Sequence, residues 1–169
     1  MDKLEIKASF DVTDEGEIVV NAWPFGSADS VGDFIVKGAV NIVGDNLPIL
    51  FSHDRTDLIG TWSEITQTNE GLIMKGKLHV ERPRVRSILT MVKSQLISGI
   101  SIGFVAKAFT KRARGRLLTD IDLHEASIVH RPSHPKARII SAKTQSEITA
   151  AAVAEIFKRA TAALRKDYK

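Results

Sequence analysis

Short apolar segments separated by turn-forming residues recur through most of this chain, and a single window breaks that rhythm. Residues 4–11 and 16–23 flank Asp14-Glu15-Gly16 and predict a hairpin. Further apolar segments follow at 48–52, 58–66 and 72–80, with Glu70-Gly71 marking a second hairpin turn. Residues 24–46 carry Pro24, Gly26, Ser27, Asp29, Gly32, Gly38 and Gly44, which predict loop with some short helix or strand. Residues 100–109 predict a strand, and 116–129 one or two more. Many short strands at such spacing point to a barrel.

The exception is residues 82–97. Val85, Ile88, Leu89, Val92 and Leu96 fall on one face at helical period. Pro83 suits a first turn, and Ser98-Gly99 is the expected stop. A second, Ala-rich helical pattern covers 147–164, after a polar link at 141–146. The expected fold class is therefore mainly β with helices: an antiparallel β-barrel with one inserted and one C-terminal helix. The expected division is a domain over 1–142 and a helical segment over 143–169.

A chain of 169 residues suits one domain with a sizeable core. Aromatics make up only 6% of it, so that core must rest on Ile, Val, Leu and Ala. With no cysteine, disulfides and thiolate chemistry are excluded, which fits a reducing compartment. No apolar run is long enough to span a bilayer, and residues 1–10 lack the apolar core of a secretory signal. The net charge is +4, and four cations fall within Lys111–Arg116. Such a cluster serves either as a solvated hairpin tip or as a contact for anionic partners.

Hydrolytic chemistry has several candidate residues. Ser101 follows the predicted helix; alternation puts it with Gly103 and Val105, opposite Ile100, Ile102 and Phe104. His53 ends an apolar segment, and an imidazole titrating near neutrality can take and return a proton. Glu125 alternates with Leu123, Ser127 and Val129, where a carboxylate is costly unless paired. His124 points the other way and is an equal candidate if the strand phase differs. Taken singly, each is a common surface residue, and Ser98 is a second serine nearby. The five histidines show no metal-ligand spacing, and Pro132 forbids a regular helix between His130 and His134. No metal or cofactor is expected, and no phosphate-cradling glycine loop is present.

Three segments in order resemble one family. They are Phe25–Val40 with Pro48–Asp54, then Gly99-Ile100-Ser101-Ile102-Gly103-Phe104, then Leu123–Val129 followed by Pro132, Pro135, Ala137 and Ile139. They are similar to the prohead maturation proteases of tailed phages and prophages, whose fold is related to the herpesvirus assemblins. The resemblance covers roughly residues 15–142. It implies Ser101 as nucleophile, His53 as general base and Glu125 as the group orienting that base. The turn Arg131–Arg138, which follows Glu125, is the candidate for the oxyanion donors, with Arg131 or Arg138 assisting.

The resemblance also implies major capsid protein and scaffold segments as substrates, within an immature capsid in the bacterial host cytoplasm. Self-cleavage and a homodimer or higher homo-oligomer are expected, and membrane or nucleic-acid partners are not. The alternatives are a non-catalytic capsid-assembly module of the same fold, or an anion-binding barrel using residues 111–116.

Overall fold

A computed structural model describes residues 15–140. The predicted strand at 4–11, its hairpin with the next strand and the predicted helix at 147–164 lie outside the described residues. Nine strands and one helix follow in order: β1 Glu17–Pro24, β2 Phe34–Ile35, β3 Val40–Ile42, β4 Leu47–Phe51, β5 Asp54–Gln67 and β6 Gly71–Leu78. Then come α1 Pro83–Lys93, β7 Gly99–Lys111, β8 Arg116–Val129 and β9 Arg138–Ile139.

Seven of the strands close a ring in the order β8-β4-β5-β6-β1-β9-β7 and back to β8. Alternation along them sends one row inward: Ile18 and Val20 of β1, Met74 of β6, Ile100 of β7, and Leu123 and Ile128 of β8 are all essentially inaccessible. Trp62 adds a specific tie, its indole N–H donating to the Ala126 carbonyl at 3.1 Å.

The barrel is not wholly antiparallel, as had been expected. β2, β3 and β4 all pair parallel with β8, in succession along one edge, at Phe34↔Leu117, Val40↔Ile121 and Ile49↔Ala126. Residues 34–51 thus behave as one strand interrupted twice, and Gly38 (φ 92°) and Gly44 (φ 85°) supply the left-handed residues at the interruptions. The expected loop at 24–46 holds these two short strands and no helix.

Helix α1 buries Val85, Ile88, Leu89 and Val92 as its pattern predicts, each aliphatic contributing roughly 1.5–3 kcal/mol on full burial. It stops well short of Gly99. The Gln95 N–H donates to the Val92 carbonyl and the Leu96 N–H to the Met91 carbonyl, both at 2.9 Å. Gln95 stands in the left-handed region at φ 60°. This is a Schellman stop with glutamine in the position glycine usually takes. Leu96, expected on the apolar face, lies beyond the stop and is 70% exposed.

The basic hairpin between β7 and β8 is not simply solvated. Arg116 donates from Nε to Asp33 Oδ2 at 3.1 Å, and its own backbone N–H reaches Oδ1 at 2.8 Å. Arg114 donates to the Ser30 carbonyl at 2.7 Å, and the Arg112 guanidinium lies 4.3 Å from the Phe34 ring centre. Three of the four cations therefore dock Ser30, Asp33 and Phe34 onto the hairpin. An anion-binding surface built on 111–116 would have to release them.

Candidate active site

The β4–β5 turn has two central residues, and both are left-handed: Ser52 at φ 53° and His53 at φ 63°. A two-residue hairpin of right-handed twist demands this, but neither residue is glycine. Such strain costs on the order of 1–3 kcal/mol per residue and persists only where the surroundings hold it. Here β8 holds it. The Ser52 N–H donates to the Ile128 carbonyl at 3.0 Å, and the His53 N–H to Ser127 Oγ at 3.1 Å.

The same strand supplies the partner of the His53 ring. His53 Nδ1 lies 2.6 Å from Glu125 Oε1, and the Ser127 hydroxyl donates to Glu125 Oε2 at 2.6 Å. An ionised carboxylate only accepts, so Nδ1 carries the proton and Nε2 is left as the basic lone pair. The loop of bonds returns to His53 through its backbone N–H. Glu125 thereby raises the His53 pKa above its ordinary 6.5, its hydrogen bond outweighing the opposing effect of burial.

Glu125 reaches this position through a bulge. Gly103 pairs with Glu125 but Phe104 pairs with Leu123, so His124 is the extra residue. The expected face shared by Leu123 and Glu125 does not exist, because the bulge reverses the phase: Leu123 is in the core, while Glu125 and Ser127 lie on the other face of the sheet with Ser101 and Gly103. His124 is exposed and is not the partner of His53.

Gly103 makes room for the carboxylate. A Cβ at this position would sit 2.2 Å from Glu125 Oε1. Gly103→Ala is therefore expected to push Glu125 off His53. Cleavage should fall at least about tenfold, and overpacking should cost roughly 1–3 kcal/mol in urea unfolding. A variant with wild-type rate and stability would show that Glu125 has slack.

Ser101 lies opposite Ser127, two pairs along from Gly103 and Glu125, and is 4% exposed. Its hydroxyl is bonded to Ser133 Oγ at 3.3 Å rather than to His53. The structure thus brings His53 and Glu125 into contact and sets Ser101 beside them on the same face. Ser133 belongs to the turn after β8, which is pinned by the buried His134. The Lys136 N–H donates to His134 Nδ1 at 3.2 Å, and His134 Nε2 reaches Ser27 Oγ at 3.2 Å. Burial lowers the His134 pKa, in keeping with a neutral ring. The Ser30 N–H holds the Ser133 carbonyl at 2.9 Å.

Arg138 pairs with Gly99, which puts it on the Ser101 face, and its guanidinium bonds the Ala137 carbonyl at 2.8 Å. Arg131 is exposed at the start of the turn. Among the described residues, no cluster of His, Cys, Asp or Glu could hold a metal ion.

Sequence reasoning missed Ser127, Ser133 and His134. Ser127 was within reach of it, since alternation already set it beside Glu125. Ser133 and His134 act through a turn whose path no local period encodes.

Known proteins resemble this chain over most of its length. The family described as caudovirus prohead serine protease matches residues 3–151. A capsid polyprotein of Pseudomonas phage PAJU2 is 30% identical over 150 residues, spanning 83% of this chain and 22% of that protein. The chain therefore spans about a fifth of the length of this relative. No solved structure matches.

Proposed function

This chain belongs to the caudovirus prohead serine proteases, and on that premise we propose that Ser101, His53 and Glu125 form its catalytic triad. The observation that carries the reading is the 2.6 Å bond between His53 Nδ1 and Glu125 Oε1, made beside a serine in a turn that strains to present the imidazole. Ser101 exchanges Ser133 for His53 Nε2 when substrate binds; catalytic hydrogen bonds commonly tighten only in the substrate complex.

His53 Nε2 takes the Ser101 proton as Oγ attacks the scissile carbonyl, and Glu125 stabilises the imidazolium. Backbone N–H groups of the Arg131–Arg138 turn, with Arg138 on the Ser101 face, receive the oxyanion, at about 3–4 kcal/mol per donor. His53 then protonates the leaving amine, and water releases the acyl group by the reverse sequence.

The substrate is capsid and scaffold protein during prohead maturation. Likeness to part of a phage capsid polyprotein supports this, and it fits action inside the immature capsid in the host cytoplasm. The closed barrel with one inserted helix is consistent with the assemblin type. A homo-oligomer and self-cleavage within 143–169 complete the reading.

A fluorophosphonate probe tests the nucleophile directly. The expected adduct maps to Ser101, and His53→Ala reduces labelling by at least about tenfold. An adduct on Ser133 or Ser98, or labelling indifferent to His53, overturns the assignment.

A further inference from the structure

Two adjoining cavities, each of about 360 Å³, open beside the His53–Glu125 pair. They share Leu50, Arg55, His124 and Glu125; the second extends along Phe104 and Val105 to His53. Each has room for about a dozen water volumes, enough for a long side chain. Pro48, Leu50, Leu58, Phe104 and Val105 make the open wall surface mainly apolar, with His53, His124 and Glu125 set among them. Val105 is 52% exposed here, and Leu58, which lines the first cavity, is 40% exposed.

Arg55 is the fixed cation in this apolar surround. Arg55 is exposed, among the described residues its side chain makes no hydrogen bond or ion pair, and the neighbouring acids are engaged elsewhere. Asp54 accepts from Thr56 at 2.8 Å, and Asp57 accepts from Arg84 Nε at 3.0 Å. Both Glu125 oxygens are taken, by His53 and by Ser127. An unpaired guanidinium against apolar walls fits a ligand with methylenes behind a carboxylate, since arginine binds carboxylates through paired donors.

We propose that Arg55 is a specificity-determining residue and that the preferred substrate carries a glutamate or aspartate close to the scissile bond. The carboxylate binds Arg55 while its stem lies on Leu50 and Phe104. An extended peptide advances about 3.3 Å per residue, so a pocket bordered by His53 serves a residue within about two positions of the cut. This rests on the catalytic assignment above, because it takes His53 to mark the scissile bond.

The test is digestion of a peptide library, prepared from a whole bacterial proteome, with wild type, Arg55→Glu and Ser101→Ala, followed by mapping of cut sites by mass spectrometry. Wild type is expected to cut next to acidic residues. Arg55→Glu should lose about 10- to 100-fold in kcat/KM at those sites, mainly through KM, and shift toward Lys and Arg. A melting curve matching wild type establishes that the variant is folded. Cut sites without acidic enrichment, no cutting at all, or an unchanged Arg55→Glu profile would each overturn the proposal. Should Ser101→Ala cut like wild type at acidic sites, the nucleophile is misassigned while the role of Arg55 stands.

Discussion

Ser101→Ala is expected to abolish processing of co-expressed capsid protein, with a rate loss of about 10⁴–10⁶-fold, while the protein stays folded. The activity loss is large because no other group replaces the attacking oxygen; what remains is the binding and oxyanion contribution. The stability loss is small for a structural reason. The one hydroxyl bond that disappears is the 3.3 Å contact to Ser133, and the exposed Ser133 regains water. That is worth about 1 kcal/mol or less, or a melting shift of roughly 2–4 °C at this chain length. Intact mass of the capsid protein reads the first quantity and a thermal melt the second. Ser133→Ala is the necessary companion, since the two hydroxyls touch. It should stay within about tenfold of wild type, because the Ser133 turn is held by the Ser30 N–H and by His134 rather than by its hydroxyl. If Ser101→Ala processes capsid normally and Ser133→Ala does not, the nucleophile is Ser133.

What the sequence disclosed about this site followed local period, and what it hid followed long-range register. Val85, Ile88, Leu89 and Val92 read as a buried helical face because a helix repeats its face within a few residues. Ile100 and Ile102 read as core because the β7 register runs without a bulge from Gly99 to Gly103. Alternation sets Glu125 correctly beside Ser127 but wrongly beside Leu123, because a bulge adds one residue, His124, and one residue reverses the phase of everything beyond it. The parallel run of β2, β3 and β4 along β8 was out of reach for a different reason: pairings such as Ile49↔Ala126 join segments separated by most of the barrel. The two-residue β9 is too short to carry a period at all. Ser127 and Gly103 lie between these cases. Both were visible as small residues on the correct face, but their use, as a bond to the carboxylate and as space for it, needs coordinates.

Glu125→Gln separates an orienting carboxylate from a merely structural one, because its effects on activity and on stability carry opposite pH signs. Glu125 holds the His53 pKa above 6.5, and only neutral His53 can accept the Ser101 proton. The wild-type acid limb of kcat/KM should therefore have its midpoint above that value. With glutamine the charge is gone, and the limb should move to lower pH. The plateau should also fall by about 10²–10⁴-fold. If the glutamine oxygen keeps the Ser127 hydroxyl, its amide N–H₂ faces His53 Nδ1 and selects the tautomer whose lone pair points away from Ser101. Stability runs the other way. A histidine whose folded pKa is raised stabilises the fold fully below its unfolded pKa and loses that contribution as pH rises through the folded value. Glu125→Gln should accordingly cost more unfolding free energy near about pH 5.5 than near about pH 9, where its activity deficit is largest. His124→Ala is the control: exposed and outside the His53 bond, it should leave the acid limb in place. A Glu125→Gln enzyme within tenfold of wild type, with an unmoved acid limb, would leave His53 without its orienting group and return the third position to His124.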